Sequence, residues 1–474
     1  MSPPLAPARW LLVIVLACTG SGRLAAEPIV LSGHQGPILF LIISPKGHWL
    51  LTGSLDKTVR LWDLTAKAPV GKVVPLGTSG PEPTLAFSPD DHWLVLEEPT
   101  SKRTSLRQTL GLKQKAALED ETTSLVLRDL TARDPQATSV VLREAERPVV
   151  FSPNGHWLAT GYSGGSFRLW DLSAKDPNGA KIILRAQEPA TAEPVISPDS
   201  HWMVTAAWSS TSQSSMVYLW DLTAKDPGAA PVILRGAQGN VTQIAITPNS
   251  RWLVTAGPEA KTGACLWDLT AAQTPPGAPI VLRDAMGVAI SGDSRWLATR
   301  APSGTALLWD LRAKDPAAAP IKLRGEEGDM FCVFPPGGRW LVSWGCAVWP
   351  HDAKESHQVC LWHLTAQGPA AKPVVLRGHR FYLSGVGDIP VSPDGHWLVT
   401  TAASYFGFGL PKDRNRMPPA SDAYLWDLTA QDPAAAPVVL RGQIRISAFS
   451  PDGRTLVSGC DDGTVRIWPL RNLK

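Results

Sequence analysis

Tryptophan recurs at two fixed places in a unit that repeats along the chain, and this recurrence constrains the fold more than any single residue. The chain has 474 residues and 20 tryptophans. One set follows a turn of the Ser-Pro-Asp-Gly type: Trp49, Trp93, Trp157, Trp202, Trp252, Trp296, Trp340 and Trp397. Each member of the other set stands directly before an aspartate or before a residue that replaces this aspartate: Trp62, Trp170, Trp220, Trp267, Trp309, Trp362, Trp426 and Trp468. Such a repeat predicts an array of similar structural units and argues against a single-site enzyme.

The first copy shows how a unit is built. Short apolar runs rich in Val, Ile, Leu and Trp alternate with turns, as half-buried strands require. The turn at 44–47 has a proline that presets φ and a glycine that accepts a positive φ. Each Trp-Asp is followed by a polar, proline-rich connector, such as LTAKDPGAAP at 222–231, and then by a last strand, such as PVILRG at 231–236. We therefore expect four strands in each unit.

The turns define nine units within a single domain at 27–474. The expected units cover 28–65, 73–131, 139–173, 181–223, 231–270, 279–312, 320–365, 373–429 and 437–471. Unit two is degenerate, because Arg128 stands where the second tryptophan is expected. Unit nine has Thr455 in place of the first tryptophan and Trp468-Pro469 in place of Trp-Asp.

This pattern resembles the WD-repeat β-propeller family, and the proline- and alanine-rich connectors resemble the regular WD repeats of some bacterial proteins. The resemblance implies an all-β ring of four-stranded antiparallel blades. We favour nine blades, with eight as the alternative, since propellers typically have four to eight. Ring closure then requires PIVL at 28–31 to pair with GTVRIW at 463–468.

The family also implies a buried hydrogen-bond network of His, Ser or Thr, Asp and Trp within a blade. Only unit one keeps the whole set: His34, Thr52, Asp56 and Trp62. Unit nine keeps Ser458, Asp462 and Trp468. Units three to six lack the histidine, so we expect them to rely on apolar packing. These residues are predicted to be structural and not catalytic.

The first 26 residues are typical of an export signal. Arg9 precedes the apolar stretch WLLVIVLAC at 10–18, which is too short to span a bilayer, and Ala25-Ala26 offers a cleavage site. Residues 15–18 also resemble a lipobox, so Cys18 is a candidate lipid anchor and the one expected membrane attachment. The predicted location is exported, whether periplasmic, extracellular or anchored to a membrane, rather than cytoplasmic.

Charge and motifs narrow the function classes. The formal net charge is +3, and it falls to +1 without Arg9 and Arg23, so the mature surface gives no sign of nucleic-acid binding. No motif indicates a cofactor or a phosphate site. Gly161-Tyr162-Ser163-Gly164-Gly165 matches the serine-hydrolase pattern but aligns with a tight hairpin turn, not with a strand-to-helix elbow. We therefore predict no enzyme activity, no cofactor and a monomer.

The connection between the second and third strands is long in units two, four, seven and eight, and in the neighbouring units seven and eight it is also aromatic. These connections contain Trp344 and Trp349 in unit seven, and Tyr405, Phe406, Phe408, Arg414 and Arg416 in unit eight. In the family such loops emerge on a face that commonly binds partners. Because aromatic and arginine side chains are enriched in binding hot spots, we predict a partner site there.

Two cysteines in the same region leave alternatives open. Cys346 and Cys360 lie near two histidines, His351 and His357. Free thiols are favoured, a disulfide across the hairpin is the second alternative, and the spacing matches no paired-cysteine zinc site, so no metal is predicted.

The sequence thus favours a non-catalytic interaction scaffold that binds a protein or peptide through long loops on one face. The alternative is a propeller enzyme or carbohydrate-binding protein with a site at the central channel. That alternative requires His351, His357, Asp388 and Asp413 to converge on one pocket.

Overall fold

The structure, a computed structural model, describes residues 23–472 except 25–26, 67–68, 70, 75–84, 100–122, 133–138, 163–164, 175, 187, 189, 210–213, 237–238, 258–262, 272–277, 302–304, 324–328, 347–358, 366–367, 370–371, 377–388 and 402–420. Almost all regular structure in these residues is β-strand. Two short 3₁₀ helices, at Leu269–Ala271 and Leu470–Asn472, follow third strands.

The first five units each contribute four strands in chain order. Two strands precede them: β1 (Arg23–Leu24) and β2 (Ile29–Leu31). Unit one contains β3 (Ile38–Ile43), β4 (Trp49–Ser54), β5 (Val59–Asp63) and β6 (Lys72–Val74). Unit two contains β7 (Leu85–Phe87), β8 (Trp93–Pro99), β9 (Thr123–Asp129) and β10 (Ser139–Leu142). Unit three contains β11 (Glu146–Phe151), β12 (Trp157–Tyr162), β13 (Ser166–Asp171) and β14 (Lys181–Leu184). Unit four contains β15 (Val195–Ile196), β16 (Trp202–Ser209), β17 (Ser214–Asp221) and β18 (Val232–Leu234). Unit five contains β19 (Gln243–Ile246), β20 (Trp252–Ala256), β21 (Ala264–Asp268) and β22 (Ile280–Leu282).

The last four units follow the same plan with two local differences. Unit six contains β23 (Met286–Ile290), β24 (Trp296–Arg300), β25 (Ala306–Asp310) and β26 (Ile321–Leu323). Unit seven contains β27 (Asp329–Val333), β28 (Trp340–Cys346), β29 (Val359–Thr365), β30 (Gly368–Pro369) and β31 (Val374–Leu376). Units eight and nine contain β32 (Trp397–Thr400), β33 (Ser421–Asp427), β34 (Val438–Phe449), β35 (Thr455–Cys460) and β36 (Val465–Pro469).

Hydrogen bonding groups the described strands into eight sheets. Seven of these sheets each hold one unit, and within each unit the strands pair in antiparallel order. The eighth sheet has seven strands, because β34 pairs with β33 of unit eight through Val438–Leu440 and with β35 of unit nine through Ile444–Phe449. The four-stranded antiparallel blade is confirmed. The number of sheets is eight, the smaller of the two blade counts that the sequence leaves open, although nine units contribute strands.

Apolar residues pack between consecutive units along the whole chain. One cluster joins units one and two through Leu51, Val59 and Leu94, and others follow at each later boundary. A further cluster contains Leu50 and Trp62 of unit one together with Val457 and Val465 of unit nine. The described units therefore form a closed ring in which each sheet buries both faces.

Ring closure follows the predicted pairing. β2 is antiparallel to β36, with Ile29 opposite Ile467 and Leu31 opposite Val465. Thus a strand from the start of the chain completes the last unit, as the sequence predicts. β1 goes one step further and pairs in parallel with β34, where Arg23 is opposite Val438. The rest of the predicted export signal lies outside the described residues, and its cleavage stays a prediction.

Candidate partner-binding site

The alternation of strands gives the ring two ends. The turns between first and second strands lie at one end, with the connectors between third and fourth strands; we call this the turn face. The connections between second and third strands lie at the other end, which we call the loop face. Units seven and eight are neighbours joined by one apolar cluster, so their two long connections leave side by side on the loop face.

Trp344 does not belong to an exposed loop. It lies inside β28, where it is opposite Val359 of β29, and only 4 % of it is exposed. Its ring stacks on Phe331 at a centroid distance of 6.0 Å, within the cluster between units seven and eight. The prediction of a partner contact at Trp344 is therefore wrong, because β28 extends through this residue and turns its side chain inward.

The other predicted contacts belong to the long connections of units seven and eight. Trp349, Tyr405, Phe406, Phe408, Arg414 and Arg416 lie outside the described residues. So do the groups His351, His357, Asp388 and Asp413 of the channel alternative. The structure does describe the strands that flank these connections. They are the antiparallel pair β28 and β29 in unit seven and the antiparallel pair β32 and β33 in unit eight.

The network of unit one is a continuous chain of hydrogen bonds. Trp62 Nε1 donates to Thr52 Oγ1 at 2.8 Å, and this hydroxyl lies 2.9 Å from His34 Nε2. His34 Nδ1 lies 3.1 Å from Asp56 Oδ2. Every bond is satisfied when the Thr52 hydroxyl donates to Nε2 and Nδ1 carries the proton. The network joins the second and third strands to the segment between β2 and β3.

Two ionisable groups in this network have displaced pKa values. Burial lowers the pKa of His34 below its ordinary value, although the neighbouring Asp56 acts in the opposite direction. Burial would raise the pKa of Asp56, but hydrogen bonds from Thr58, the Gln35 backbone and His34 outweigh it and hold that pKa well below the usual range. The folded state thus favours a neutral imidazole beside an ionised carboxylate, which is a structural arrangement and not an acid–base pair poised near neutral pH.

One bond of this network recurs in eight units among the described residues. A tryptophan of the third strand donates its Nε1–H to a Thr or Ser hydroxyl of the second strand. The pairs are Trp62–Thr52, Trp170–Thr160, Trp220–Thr205, Trp267–Thr255, Trp309–Thr299, Trp362–Ser343, Trp426–Thr400 and Trp468–Ser458. The expectation that units three to six rely on apolar packing alone is therefore wrong. They lack the histidine but keep the buried tryptophan bond.

Asp462 of unit nine takes a different role from the one predicted. It accepts hydrogen bonds from the backbone and hydroxyl of Thr464 and forms an ion pair with Arg466 at 2.9 Å. Trp468 Nε1 donates to Ser458 Oγ at 2.9 Å, and within the described part of the chain neither residue is hydrogen-bonded to Asp462. With Gln443 in place of histidine, the carboxylate has no imidazole to bridge to the tryptophan.

The degenerate unit two has its own buried polar pair. Arg128 is 4 % exposed in β9, and its guanidinium donates through Nε and Nη2 to Glu98 Oε1 at 2.9 and 2.5 Å. The hydroxyl position of the other units is taken by Leu96, which is fully buried. The exchange of tryptophan for arginine is therefore matched by loss of the hydroxyl and gain of a carboxylate two residues further along β8. Sequence reasoning missed this pairing, although Glu97-Glu98 beside an unexpected Arg128 was the available signal.

The turn face contains a second repeated device that sequence reasoning missed. The fourth turn residue has a positive φ in every unit: Gly47, Asp91, Gly155, Ser200, Ser250, Ser294, Gly338, Gly395 and Gly453. Where it is not glycine, its side chain bonds to the turn of the preceding unit. Asp91 accepts from Lys46 N at 2.9 Å, Ser200 Oγ from Asn154 N at 3.0 Å, and Ser294 Oγ from Asn249 N at 3.0 Å. These bonds tie neighbouring turns together.

The strand register bears on the predicted alternatives for Cys346 and Cys360. The strand register places Ser343 opposite Cys360, whereas Cys346 lies three positions further along β28. Three residues of strand span roughly 10 Å, and a disulfide needs Cα atoms within about 7 Å. The register therefore disfavours the disulfide. The side chain of Cys346 lies outside the described residues, so the pairing stays a prediction.

Two further features bear on chemistry. Across the described residues, no group of three or more His, Cys, Asp or Glu side chains is arranged to hold a metal ion. None of the helices in that same part of the chain has the length and hydrophobicity of a membrane span.

The comparisons define the class of protein. Residues 27–63, 149–171, 231–268 and 439–469 match the family model of the WD domain, G-beta repeat. Together with the four-stranded antiparallel sheets, these matches confirm the resemblance to the WD-repeat family, and the fold is a WD-repeat β-propeller.

Individual relatives match only parts of the chain. The chain is 43 % identical over 60 residues to the periodic tryptophan protein 2 homolog of Schizosaccharomyces pombe, which is 13 % of this chain and 7 % of that protein. It is 28 % identical over 142 residues to the small ribosomal subunit protein RACK1 of Candida albicans, covering 29 % and 38 %. It is 28 % identical over 184 residues to the Denticleless protein homolog B of Xenopus laevis, covering 36 % and 22 %. The chain thus spans less than half of each relative.

A solved structure shares the fold. It is described as the crystal structure of the eukaryotic initiation factor, with a TM-score of 0.56 and 13 % sequence identity over 88 % of this chain and 92 % of that one. At this identity the likeness shows the fold alone. The resemblance to bacterial WD repeats is not supported, since the relatives named above are eukaryotic.

Proposed function

We propose that the chain is a non-catalytic scaffold that binds a protein or peptide partner through the loop-face connections of units seven and eight. The observation that carries this proposal is the packing of those two units into one apolar cluster, which brings the ends of their long connections together on a rigid frame. Rigid scaffolds commonly present binding residues on such connections. The related RACK1 proteins are named as ribosomal subunit proteins, which fits a role within an assembly.

The contact residues proposed are Trp349, Tyr405, Phe406, Phe408, Arg414 and Arg416, with Trp344 removed from the set because it packs in the core. We further propose that the chain is exported and monomeric. Support comes from the apolar stretch at 10–18 with its preceding arginine, and from the closure of the described ring, in which β2 pairs with β36.

A capture experiment tests this proposal. The native chain is compared with a variant that lacks 404–419 and carries Trp349→Ala, and with a control that lacks 258–262, a loop-face connection in unit five. Trp344 stays native, so the core is unchanged. We expect a partner that the native chain and the control capture and that the first variant loses. Equal capture by all three chains, each with a native thermal melt, would contradict the assignment.

A further inference from the structure

One asparagine of the chain stands in a triplet that oligosaccharide transfer recognises. Asn240, Val241 and Thr242 form an Asn-x-Ser/Thr triplet without proline, and none of the other asparagines in the sequence has a serine or threonine two residues on. The triplet lies between β18 of unit four and β19 of unit five, which places it on the loop face. Such acceptor triplets are used in surface segments of exported proteins.

Hydrogen bonds to unit four fix the backbone next to Asn240. Val241 N donates to Ser215 Oγ at 2.9 Å, and Val241 O accepts from Thr191 Oγ1 at 2.7 Å. The side chain of Val241 is buried in the apolar cluster between units four and five. The position of Asn240 on the loop face is therefore defined by the packing of these two units.

The side chain of Asn240 leaves its amide nitrogen at the surface. Its Oδ1 is buried without a hydrogen-bond partner, whereas Nδ2 reaches solvent and donates to no described residue. Asn240 as a whole is half-buried, and Thr242 is exposed. A substituent on Nδ2 thus extends toward solvent and breaks no hydrogen bond of the described fold.

A half-buried tryptophan lies on the strand that faces this triplet. Trp208 of β16 is directly opposite Ser215 of β17, so the two side chains point to the same face of unit four. On that face Ser215 Oγ holds Val241. Unlike Trp202, Trp208 belongs to neither of the apolar clusters that unit four forms with its neighbours. Its ring therefore offers apolar surface within reach of a group attached to Asn240.

We propose that Asn240 is an N-glycosylation site and that the first sugar of the glycan covers Trp208. The donor is an oligosaccharide linked to a polyprenyl diphosphate. Nδ2 of Asn240 forms a bond to C1 of the first sugar and gives up one proton, while the bond from C1 to the diphosphate oxygen breaks and the lipid diphosphate leaves with the electron pair. The C–H face of the sugar then packs on the indole ring.

The timing of this modification follows from the fold. The folded triplet is held against unit four and cannot enter the active site of a transferase in an extended form. Transfer therefore precedes folding and takes place while the chain is exported. The proposal rests on the proposed export of the chain, and its test is arranged so that a failure of export is recognised separately.

The test expresses the full chain in a eukaryotic secretory cell line, once with its own first 26 residues and once with these replaced by an established secretion signal. We expect a gel shift that peptide-N-glycosidase removes, and mass spectrometry should show conversion of Asn240 to aspartate by this enzyme. Thr242→Ala should lose the glycan, whereas the matched control Thr242→Ser keeps the acceptor triplet and should retain it. Absence of glycan at Asn240 in the chain with the replaced signal overturns the proposal.

A reporter triplet separates failure of export from failure of the site. Arg251→Thr places a hydroxyl two residues after Asn249, on the turn face. Glycan at Asn249 without glycan at Asn240 contradicts the assignment of Asn240. Glycan at both asparagines with the replaced signal, and at neither with the chain's own first residues, supports the acceptor site and contradicts the proposed export.

Thermal melts test the contact with Trp208. Enzymatic removal of the glycan should lower the melting temperature of the native chain, and this decrease should be absent in Trp208→Ala, because the ring that the sugar covers is gone. An equal decrease in both chains would show that the sugar does not pack on Trp208. The variant lacking 404–419 should be glycosylated as the native chain is, so the assignment of the long connections and that of the glycan fail independently.

Discussion

A tryptophan buried at the end of a third strand has one polar atom to satisfy, and eight described units satisfy it with a hydroxyl from the neighbouring strand. The apolar ring contributes most of the burial energy, while the hydroxyl prevents the loss of about 1–3 kcal/mol that an unpaired buried donor would cost. This explains why a repeat can lose its histidine and keep its fold. The contribution of each hydroxyl to the free energy of unfolding can therefore be measured by substitution.

Thr52→Val and Thr160→Val form a matched pair that tests this account. In unit three the change leaves one group unpaired, Trp170 Nε1, and we expect a loss of about 1–3 kcal/mol in the free energy of unfolding. In unit one it leaves both Trp62 Nε1 and His34 Nε2 unpaired, so the loss should be larger. Urea unfolding followed by tryptophan fluorescence measures both. Equal losses would show that the histidine adds nothing to the buried bond.

Glycine at the fourth turn position gives a second test at this scale. Gly155 and Gly395 both have positive φ, 72° and 70°. A Cβ at Gly155 would meet nothing closer than 3.8 Å, whereas at Gly395 it would lie 2.1 Å from Pro336 O. Gly155→Ala should cost about 1–2 kcal/mol from backbone strain alone, and Gly395→Ala clearly more, because a backbone carbonyl must move. Thermal melts of the two variants give the comparison, and an equal shift would refute the role of the neighbouring turn.

At the scale of the element, the stability of unit one is expected to depend on pH, because it contains the buried His34 next to Asp56. The pKa values of His34 and Asp56 are both lower in the folded chain than their ordinary values. A group whose pKa is lower in the folded chain contributes its full stability at pH values above its ordinary pKa. This contribution is lost as the pH falls from the ordinary pKa toward the pKa in the folded chain. For His34 the loss therefore begins below about pH 6.5, and for Asp56 below about pH 4.

His34→Asn isolates this contribution, because all other titrating groups are common to both chains. We expect the native chain to be more stable than the variant at pH 7.5 and the difference to shrink at pH 5.5, where protonation of His34 opposes folding. Urea unfolding at both pH values measures the difference. A gap that widens at pH 5.5 would mean that the folded state favours the charged imidazole.

The elements also show what a sequence can and cannot reveal. The strands, the turns and the pairing of residues 28–31 with the last unit were predictable, because they depend on a pattern that the chain repeats. Trp344 was misplaced because it was assigned to the connection, although it is the fifth residue of β28. The fifth residue of the second strand also lies within the strand in units one, five and six, so an alignment of the copies could have placed it. The Arg128–Glu98 pair and the bonds between turns were missed because they depend on which units become neighbours and on side-chain reach.

At the scale of the whole molecule, stability depends on closing the ring. Leu31 of β2 is buried in the cluster that joins the first and last units, and β36 has no other outer partner in the described chain. An open β36 would present unpaired backbone groups, and such edges promote association between chains. Closure is therefore expected to control both the melting temperature and the oligomeric state.

Two shortened chains test this dependence. A chain beginning at residue 27 lacks β1 but keeps β2, and it should melt and elute as the full chain does. A chain beginning at residue 35 lacks both strands and His34 as well, so it should melt earlier and form larger species through the open edge of β36. Adding His34→Asn to the longer chain separates loss of the network from loss of the strand, because only strand loss should change the size. Size-exclusion chromatography with light scattering and thermal melts decide the matter. If the shorter chain keeps the size and melting temperature of the His34→Asn variant, closure by β2 is not what holds the ring.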